Sequence, residues 1–109
     1  MEKWKKLIEN ENYEISNYGN FRNLRGKILN LNKNKRGYLY CNISTKGKVT
    51  KVKIHKLVAK YFVNNPDKKD TVNHIDGNKL NNYHLNLEWL TRKENIQHGY
   101  KNNLMWNKK

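Results

Sequence analysis

The sequence predicts an α+β fold: a small β-rich N-terminal module followed by a strand–loop–strand–helix segment. The length of 109 residues corresponds to one domain, or to one domain with a small appendage. Short runs rich in strand-forming residues, separated by turn signals, fill the first half of the chain. A central segment has apolar residues at helical spacing, and a capping sequence near the C-terminus marks a second helix. Hydrophobic residues make up only 36% of the chain, so the core must be small.

The N-terminal module is predicted from its turns and strand formers. Residues 13–23 form two short strands around a turn at Asn17–Gly19. Residues 37–44 form a strand rich in Tyr, Leu and Ile. A hairpin turn at Thr45–Lys48 connects it to a strand over residues 49–54, with one face on the core and one in solvent.

The rest of the chain predicts a helix, a second strand pair and a second helix. Residues 55–63 place four apolar side chains at helical spacing, and the only proline, Pro66, follows the end of that helix. Residues 71–82 begin as a strand and continue as a loop around Asp76–Gly77, and residues 85–90 return as a strand. Thr91 and Glu94 have the spacing of a capping box, so a helix should run over about 92–100.

These elements suggest three parts. Residues 1–65 form a basic β-rich module with a linker helix, residues 66–100 form the strand–loop–strand–helix motif, and residues 101–109 form a polar tail.

Composition excludes several classes of protein. No apolar run approaches the ~18 residues of a membrane span, and the N-terminus has no apolar signal-peptide core. The single cysteine, Cys41, can form neither an internal disulfide nor a thiolate zinc site. We therefore expect an intracellular, cytoplasmic protein with no membrane partner.

Charge points to nucleic acid as the partner. The net charge is +14, and residues 31–69 hold eleven basic residues against one acid. A local field of this kind attracts phosphates, because each neutralised phosphate releases counterions. A charge serving only solubility is the alternative, and a membrane-surface role is disfavoured because no strongly apolar face opposes the lysines. The candidate DNA-binding residues are Lys48, Lys51, Lys53, Lys56 and, at the start of the last helix, Arg92.

The strand–loop–strand–helix segment brings together residues suited to breaking a phosphodiester. That reaction needs a base for water and charge relief for the phosphate and the departing oxygen. His74 on the first strand suits the base, and the amide oxygens of Asn73 and Asn95 on facing elements could hold a magnesium-like ion. Asparagine is abundant, with 20 in the chain, so no single Asn is a specific signal.

A family resemblance makes the pattern specific. Residues 72–98, with NHIDGN, NLEW and T-x-x-EN in order, resemble the signature of HNH homing endonucleases of phage- and intron-encoded type. Residues 4–29, with the core YEISNYG-x-x-R-N-L, resemble the small module that often precedes such domains. Residues 55–66 resemble the linker helix between them, so the resemblance covers nearly the whole chain.

The resemblance implies a ββα-metal fold and assigns roles residue by residue. His74 matches the general base, and Asn73 and Asn95 match the metal ligands. Asn86, which should open the second strand, matches the middle letter of HNH, whose side chain ties down the loop and so holds the histidine. His98 is a further candidate metal ligand, although it lies three rather than four residues after the helical ligand.

The implied activity is metal-dependent endonucleolytic cleavage of double-stranded DNA. The expected cofactor is Mg²⁺, Mn²⁺ or another divalent cation, with no small-molecule cofactor. Both expected ligands are neutral amides, so metal and DNA should bind together. One site should nick one strand as a monomer, although the sequence does not fix the oligomeric state. The alternative is a non-catalytic DNA-binding module that retains the HNH segment for structure.

Overall fold

The computed structural model describes the backbone of residues 1–101 and the side chains of residues 1–97. Within residues 1–101, the chain forms three small antiparallel sheets and two α-helices. The elements are β1 (Trp4–Lys6), β2 (Tyr13–Ser16), β3 (Phe21–Asn23), β4 (Asn32–Lys33), β5 (Leu39–Thr45), β6 (Lys48–Lys53), α1 (Ile54–Phe62), β7 (Thr71–His74), a 3₁₀ turn (His84–Asn86), β8 (Leu87–Leu90) and α2 (Arg92–Lys101).

The first sheet has the order β1-β2-β3. The two strands predicted within residues 13–23 are present, and β1 adds a third strand that the sequence did not predict. The turn between β2 and β3 is held by Ser16, whose Oγ accepts the backbone N–H groups of Tyr18 (3.1 Å) and Asn20 (3.0 Å). Gly19 in this turn has φ +91°, a backbone conformation that residues with a Cβ rarely adopt.

The second sheet has the order β4-β5-β6, and its long hairpin is the one predicted. Lys46 (φ 52°) and Gly47 (φ 80°) are both left-handed, as a two-residue hairpin turn of matching twist requires. The prediction of one core face along β6 is wrong in part, because Val49 is 63% exposed and only Val52 packs against the core. Ile54, expected at the end of this strand, instead begins α1.

Helix α1 lies between the sheets and connects their apolar faces. Its buried residues Ile54, Leu57 and Val58 belong to one core that receives side chains from all three sheets. Among the core residues is Cys41, where burial raises the pKa of the thiol to about 12 and so makes it unreactive. The buried apolar residues are Leu7, Ile15, Phe21, Cys41, Ile43, Ile54, Leu57, Val58, Ala59, Val72 and Leu87.

The third sheet pairs β7 with β8, and α2 packs against both strands. The predicted capping box is present: Thr91 Oγ1 accepts the Glu94 N–H (3.1 Å), and Glu94 Oε1 accepts the Thr91 N–H (2.9 Å). The prediction that Asn86 opens the second strand is wrong, because residues 84–86 form a 3₁₀ turn and β8 begins at Leu87.

Two predictions, the polar tail and His98 as a metal ligand, concern residues that lie wholly or partly outside the described ones. Residues 102–109, most of the predicted polar tail, lie outside the described residues, as does the side chain of His98. Neither helix within residues 1–101 is long and apolar enough to cross a membrane.

Candidate active site

Three of the predicted site residues meet at one small cavity. The last two residues of β7, Asn73 and His74, and Asn95 in the first turn of α2 all line it. The capping box fixes where α2 begins and so places Asn95 opposite the end of β7. The cavity has a volume of about 70 Å³ and is lined by Tyr38, Val72, Asn73, His74, Gly77, Lys79 and Asn95.

The ring of His74 is fixed by a hydrogen bond. The residue is only 5% exposed, and its Nε2 lies 2.7 Å from Oδ1 of the buried Asn82. An amide oxygen can only accept, so Nε2 carries the proton and Nδ1 keeps its lone pair in the neutral ring. Burial lowers the pKa of His74, and this effect outweighs the opposing one of the Asn82 hydrogen bond. The imidazole is therefore a neutral base at neutral pH.

Two rings, Tyr38 next to the second sheet and His55 on α1, form a cluster with the ring of His74. The rings of Tyr38 and His55 are 4.9 Å apart, and those of His55 and His74 are 5.0 Å apart. His55 is buried, and burial, assisted by the nearby His74, Lys53 and Lys56, lowers its pKa to about 3. His55 is thus neutral and serves as a packing partner of His74. The sequence analysis did not place it or Tyr38 at the site.

Asn73 is oriented by its partner across the strand pair. Its Nδ2 donates to Glu88 Oε2 (2.8 Å), and the two residues are directly opposite in the β7–β8 register. The amide nitrogen is thereby occupied, and Oδ1 is the atom of Asn73 left available as a ligand. Asn95 is half-buried at the same cavity.

These donors fit a hard divalent cation. Amide oxygens are ligands that Mg²⁺ and Ca²⁺ accept, and the cavity brings two of these side chains together. Within the described side chains, no three His, Cys, Asp or Glu residues cluster as a metal site. Asn73 and Asn95 are neutral, so these two side chains bring no negative charge to such an ion.

Asn86 holds the loop that follows His74. Its Oδ1 accepts the Asp76 N–H (3.1 Å), while its Nδ2 donates to Asp76 Oδ1 (3.0 Å) and to the Asn81 carbonyl (2.9 Å). Asp76 also accepts from the Asn81 side chain and the Asn78 N–H, and these bonds, Asn81 first, lower the pKa of its carboxyl. Asp76 is thus occupied in shaping the loop.

Lys79 is a cation at the cavity that the sequence analysis missed. Its Nζ donates to the Arg36 carbonyl (2.8 Å) and lies 4.8 Å from the centre of the Tyr38 ring. These contacts attach the loop to the second sheet. They also place a positive charge beside Asn73 and His74, where it opposes a bare cation and favours an anion such as phosphate.

A cationic groove lies on the second sheet. It has a volume of about 610 Å³, no acidic residue among its lining, and two of the predicted DNA-binding residues, Lys51 and Lys53. The other three predicted DNA-binding residues, Lys48, Lys56 and Arg92, do not line it. The groove is lined by Lys33, Asn34, Lys35, Arg36, Tyr40, Lys51 and Lys53, and hereafter we call these residues the cationic groove.

The two strands and the helix around the neutral histidine form a ββα arrangement. Comparison with known families agrees. The NUMOD4 motif matches residues 2–44, and the HNH endonuclease family matches residues 52–97. The chain therefore carries a NUMOD4 motif followed by a segment that matches the HNH endonuclease family.

Individual relatives are viral and phage proteins. The chain is 48% identical over 103 residues to the uncharacterized HNH endonuclease L245 of Acanthamoeba polyphaga mimivirus, covering 94% of this chain and 31% of L245. It is 35% identical over 96 residues to the DNA endonuclease I-HmuI of Bacillus phage SP01, covering 86% of this chain and 55% of I-HmuI. The chain thus spans about a third of the length of the first relative and about half of the second.

The fold is also that of I-HmuI. A solved structure describing DNA binding and cleavage by that HNH homing endonuclease matches with a TM-score of 0.85 at 33% identity, covering 93% of this chain and 59% of the other. The prediction of an α+β fold of the HNH homing endonuclease type is confirmed.

The buried His55 makes stability depend on pH. Its pKa is lower in the folded protein (about 3) than its ordinary 6.5, so the unfolded chain binds the extra proton between these values. Stability should therefore be fully present above about pH 6.5 and decrease as the pH falls, by roughly 1 kcal/mol between about pH 7.5 and 5.5. His55→Phe keeps an aromatic ring in the cluster with Tyr38 and His74, and it should make the loss of stability at low pH smaller. Urea unfolding of both proteins at the two pH values measures it, and equal decreases would contradict the assignment.

Proposed function

We propose that this chain is a divalent-metal-dependent DNA endonuclease that nicks one strand of duplex DNA as a monomer. The observation that carries the proposal is the cavity where the neutral, buried His74 faces the same space as Asn73 and Asn95. The match of residues 52–97 to the HNH endonuclease family supports nuclease chemistry, and I-HmuI, described as binding and cleaving DNA, supports DNA as substrate. An intracellular location is part of the same proposal.

His74 is the general base of this proposal. With Nε2 donating to Asn82, Nδ1 holds the lone pair that accepts a proton from the attacking water. The lowered pKa keeps the ring unprotonated at neutral pH, so the base is ready without prior loss of a proton. Asn86 acts at a distance from the reacting atoms, by fixing the loop that starts at Ile75.

Asn73 and Asn95 would hold the divalent cation through their side-chain oxygens, and His98 remains a candidate third ligand. When bound, such an ion polarises a phosphate oxygen and stabilises charge on the departing oxygen. Glu88 keeps the Asn73 oxygen available by engaging its nitrogen. Because these ligands are neutral and Lys79 is close, DNA phosphate must supply most of the compensating charge, and metal and DNA should bind together.

The cationic groove anchors the duplex. Lys51 and Lys53 share one face of β6. Lys33 on β4, and Lys35 and Arg36 in the turn after β4, add further positive charge. Lys48, Lys56 and Arg92 remain proposed phosphate contacts outside this groove. One catalytic cavity faces one scissile phosphate, so a monomer would nick, and a double-strand break would need a second encounter.

Plasmid nicking tests the proposal directly. Supercoiled plasmid should become open circle with Mg²⁺ or Mn²⁺ and remain intact with EDTA. A protein that shifts the plasmid on a gel but never opens it, with either metal, is instead the non-catalytic DNA-binding module.

Loss of the base should stop cleavage without affecting binding. His74→Ala removes the proton acceptor, and loss of a general base typically costs about 10²–10⁴-fold in rate. DNA affinity should stay within about twofold, since His74 is buried and does not line the cationic groove. Single-turnover nicking and fluorescence anisotropy measure the two quantities. A variant that nicks within about threefold of the parent would remove His74 from the mechanism.

The charge of the side chain at position 73 should determine how tightly the free protein binds the metal. Asn73→Asp keeps an oxygen ligand and adds a negative charge, so the free protein should bind Mn²⁺ more tightly while still cleaving. Asn73→Leu, of similar size and without a ligand atom, should stop cleavage. Calorimetric titration of the three proteins, with and without a short duplex, measures this. Normal cleavage by the Leu variant, or unchanged metal affinity of the Asp variant, would mean that Asn73 is not a ligand.

The cationic groove should make binding strongly salt-dependent. Each phosphate contact contributes about −0.9 to the slope of log affinity against log salt. Lys51→Glu with Lys53→Glu should weaken duplex binding for all sequences and flatten this slope. The matched control is Lys6→Glu with Lys27→Glu, the same charge change on exposed lysines of the first sheet region. Equal loss in the two double variants would show a general field rather than a groove.

A further inference from the structure

We propose that the β2–β3 turn of the N-terminal module positions the catalytic histidine, and that Asn82 is the positioning residue through which it acts. This inference rests on the proposed role of His74. It gives the NUMOD4 region, residues 2–44, a part in catalysis besides any contact with DNA. The turn meant here is Ser16–Asn20, and hereafter we call it the Gly19 turn.

Asn82 is the connection between the two parts. It is 5% exposed, and its Oδ1 lies 2.7 Å from His74 Nε2. Among the described hydrogen bonds, this is the one that reaches the His74 ring. The hydrogen bonds of the Asn86 side chain all end on Asp76 or Asn81 instead. Asn86 therefore holds the loop, whereas Asn82 sets the orientation and tautomer of the ring.

The Gly19 turn packs directly against Asn82. A Cβ placed on Gly19 would lie 2.9 Å from the Asn82 Cβ and 3.3 Å from its carbonyl oxygen. Such distances leave no room for a side chain, so the backbone of the turn is in contact with Asn82 itself. Glycine is required here both for φ +91° and for this close approach.

Neighbouring contacts make the connection rigid. The His84 N–H donates to the Asn17 carbonyl (2.9 Å), and the rings of Tyr18 and Tyr83 meet edge to face at 5.6 Å. The turn thus contacts three consecutive residues, 82–84. Asn17 is itself held, because its Oδ1 accepts the Lys3 N–H (2.7 Å). A turn anchored in the first sheet therefore fixes the position of Asn82, and Asn82 fixes His74.

The first experiment displaces Asn82 from outside the HNH segment. Gly19→Ala adds a methyl group against Asn82, and Gly26→Ala is the matched control. Gly26 has nearly the same strained backbone (φ +82°) but nothing within 4 Å of its added Cβ. In single-turnover plasmid nicking with Mn²⁺, Gly19→Ala should lower the rate by about tenfold or more, with duplex affinity within about twofold of the parent. Gly26→Ala should stay close to the parent rate.

The second experiment tests the hydrogen bond itself. Asn82→Leu keeps the approximate size and loses the acceptor, while Asn82→Asp keeps an acceptor oxygen at the same place. The Leu variant should lose about 10²-fold in rate at saturating DNA, and the Asp variant should recover most of it. A purely structural role would affect both variants alike. Combining Gly19→Ala with Asn82→Leu should slow nicking no further than Asn82→Leu alone, since both act through one contact.

The outcomes separate this inference from the proposed function. If His74→Ala nicks normally, the proposed base is wrong. If His74→Ala is inactive but Asn82→Leu nicks at the parent rate, or if Gly19→Ala and Gly26→Ala slow nicking equally, the positioning role is overturned. Circular dichroism and thermal unfolding confirm that each variant is folded. Should Gly19→Ala not fold, Tyr18→Ala, which removes the ring packed on Tyr83, probes the same contact, and an unchanged nicking rate there overturns the link to the turn.

Discussion

The shared burial of α1 is the constraint on which the rest of the structure depends. Each of the three sheets has only two or three short strands, and a two-stranded sheet needs a helix or further strands packed against it to be stable. Ile54, Leu57 and Val58 of α1 join their apolar faces in one cluster. The same helix carries His55, whose neutral ring packs against His74. Formation of the core and placement of the candidate base are therefore parts of one packing arrangement.

The electrostatics of the cavity follow from its two amide side chains, which we propose as metal ligands. Asn73 and Asn95 are neutral, Lys79 is positive, and Glu88 is engaged with the Asn73 nitrogen. A divalent ion in such a cavity lacks compensating charge until an anion arrives. The cationic groove, with five basic side chains and no acidic lining residue, is a surface that attracts such an anion. On the proposed function, phosphate neutralises both features at once, which makes DNA part of the metal site.

The sequence predicted those features that depend on local signals. The β5–β6 hairpin, α1 and the capping box each have a short-range pattern, and each is present close to its predicted bounds. The strands β1 and β4 have only three and two residues, too few for any alternation to be recognised. Asn82 was not identified because it is one of 20 asparagines and its role depends on a contact with Gly19, distant in sequence. Lys79 and Tyr38 were not identified for the same reason, because they meet at the cavity through a contact between residues distant in sequence.

The HNH motif determines the conformation of the loop between β7 and β8, whereas residues outside the motif help to orient the ring of His74. Its own residues Asp76, Asn81 and Asn86 bond to one another, so the loop conformation is encoded within the HNH segment. The ring of His74 is instead set by Asn82, which packs on Gly19 of another sheet, and by His55 on α1. A matching HNH motif thus specifies which candidate base and which candidate ligands are present. The orientation of that base comes from contacts that the motif does not contain, so an HNH segment placed behind a different module would keep its chemistry only if that module presented an equivalent surface to Asn82.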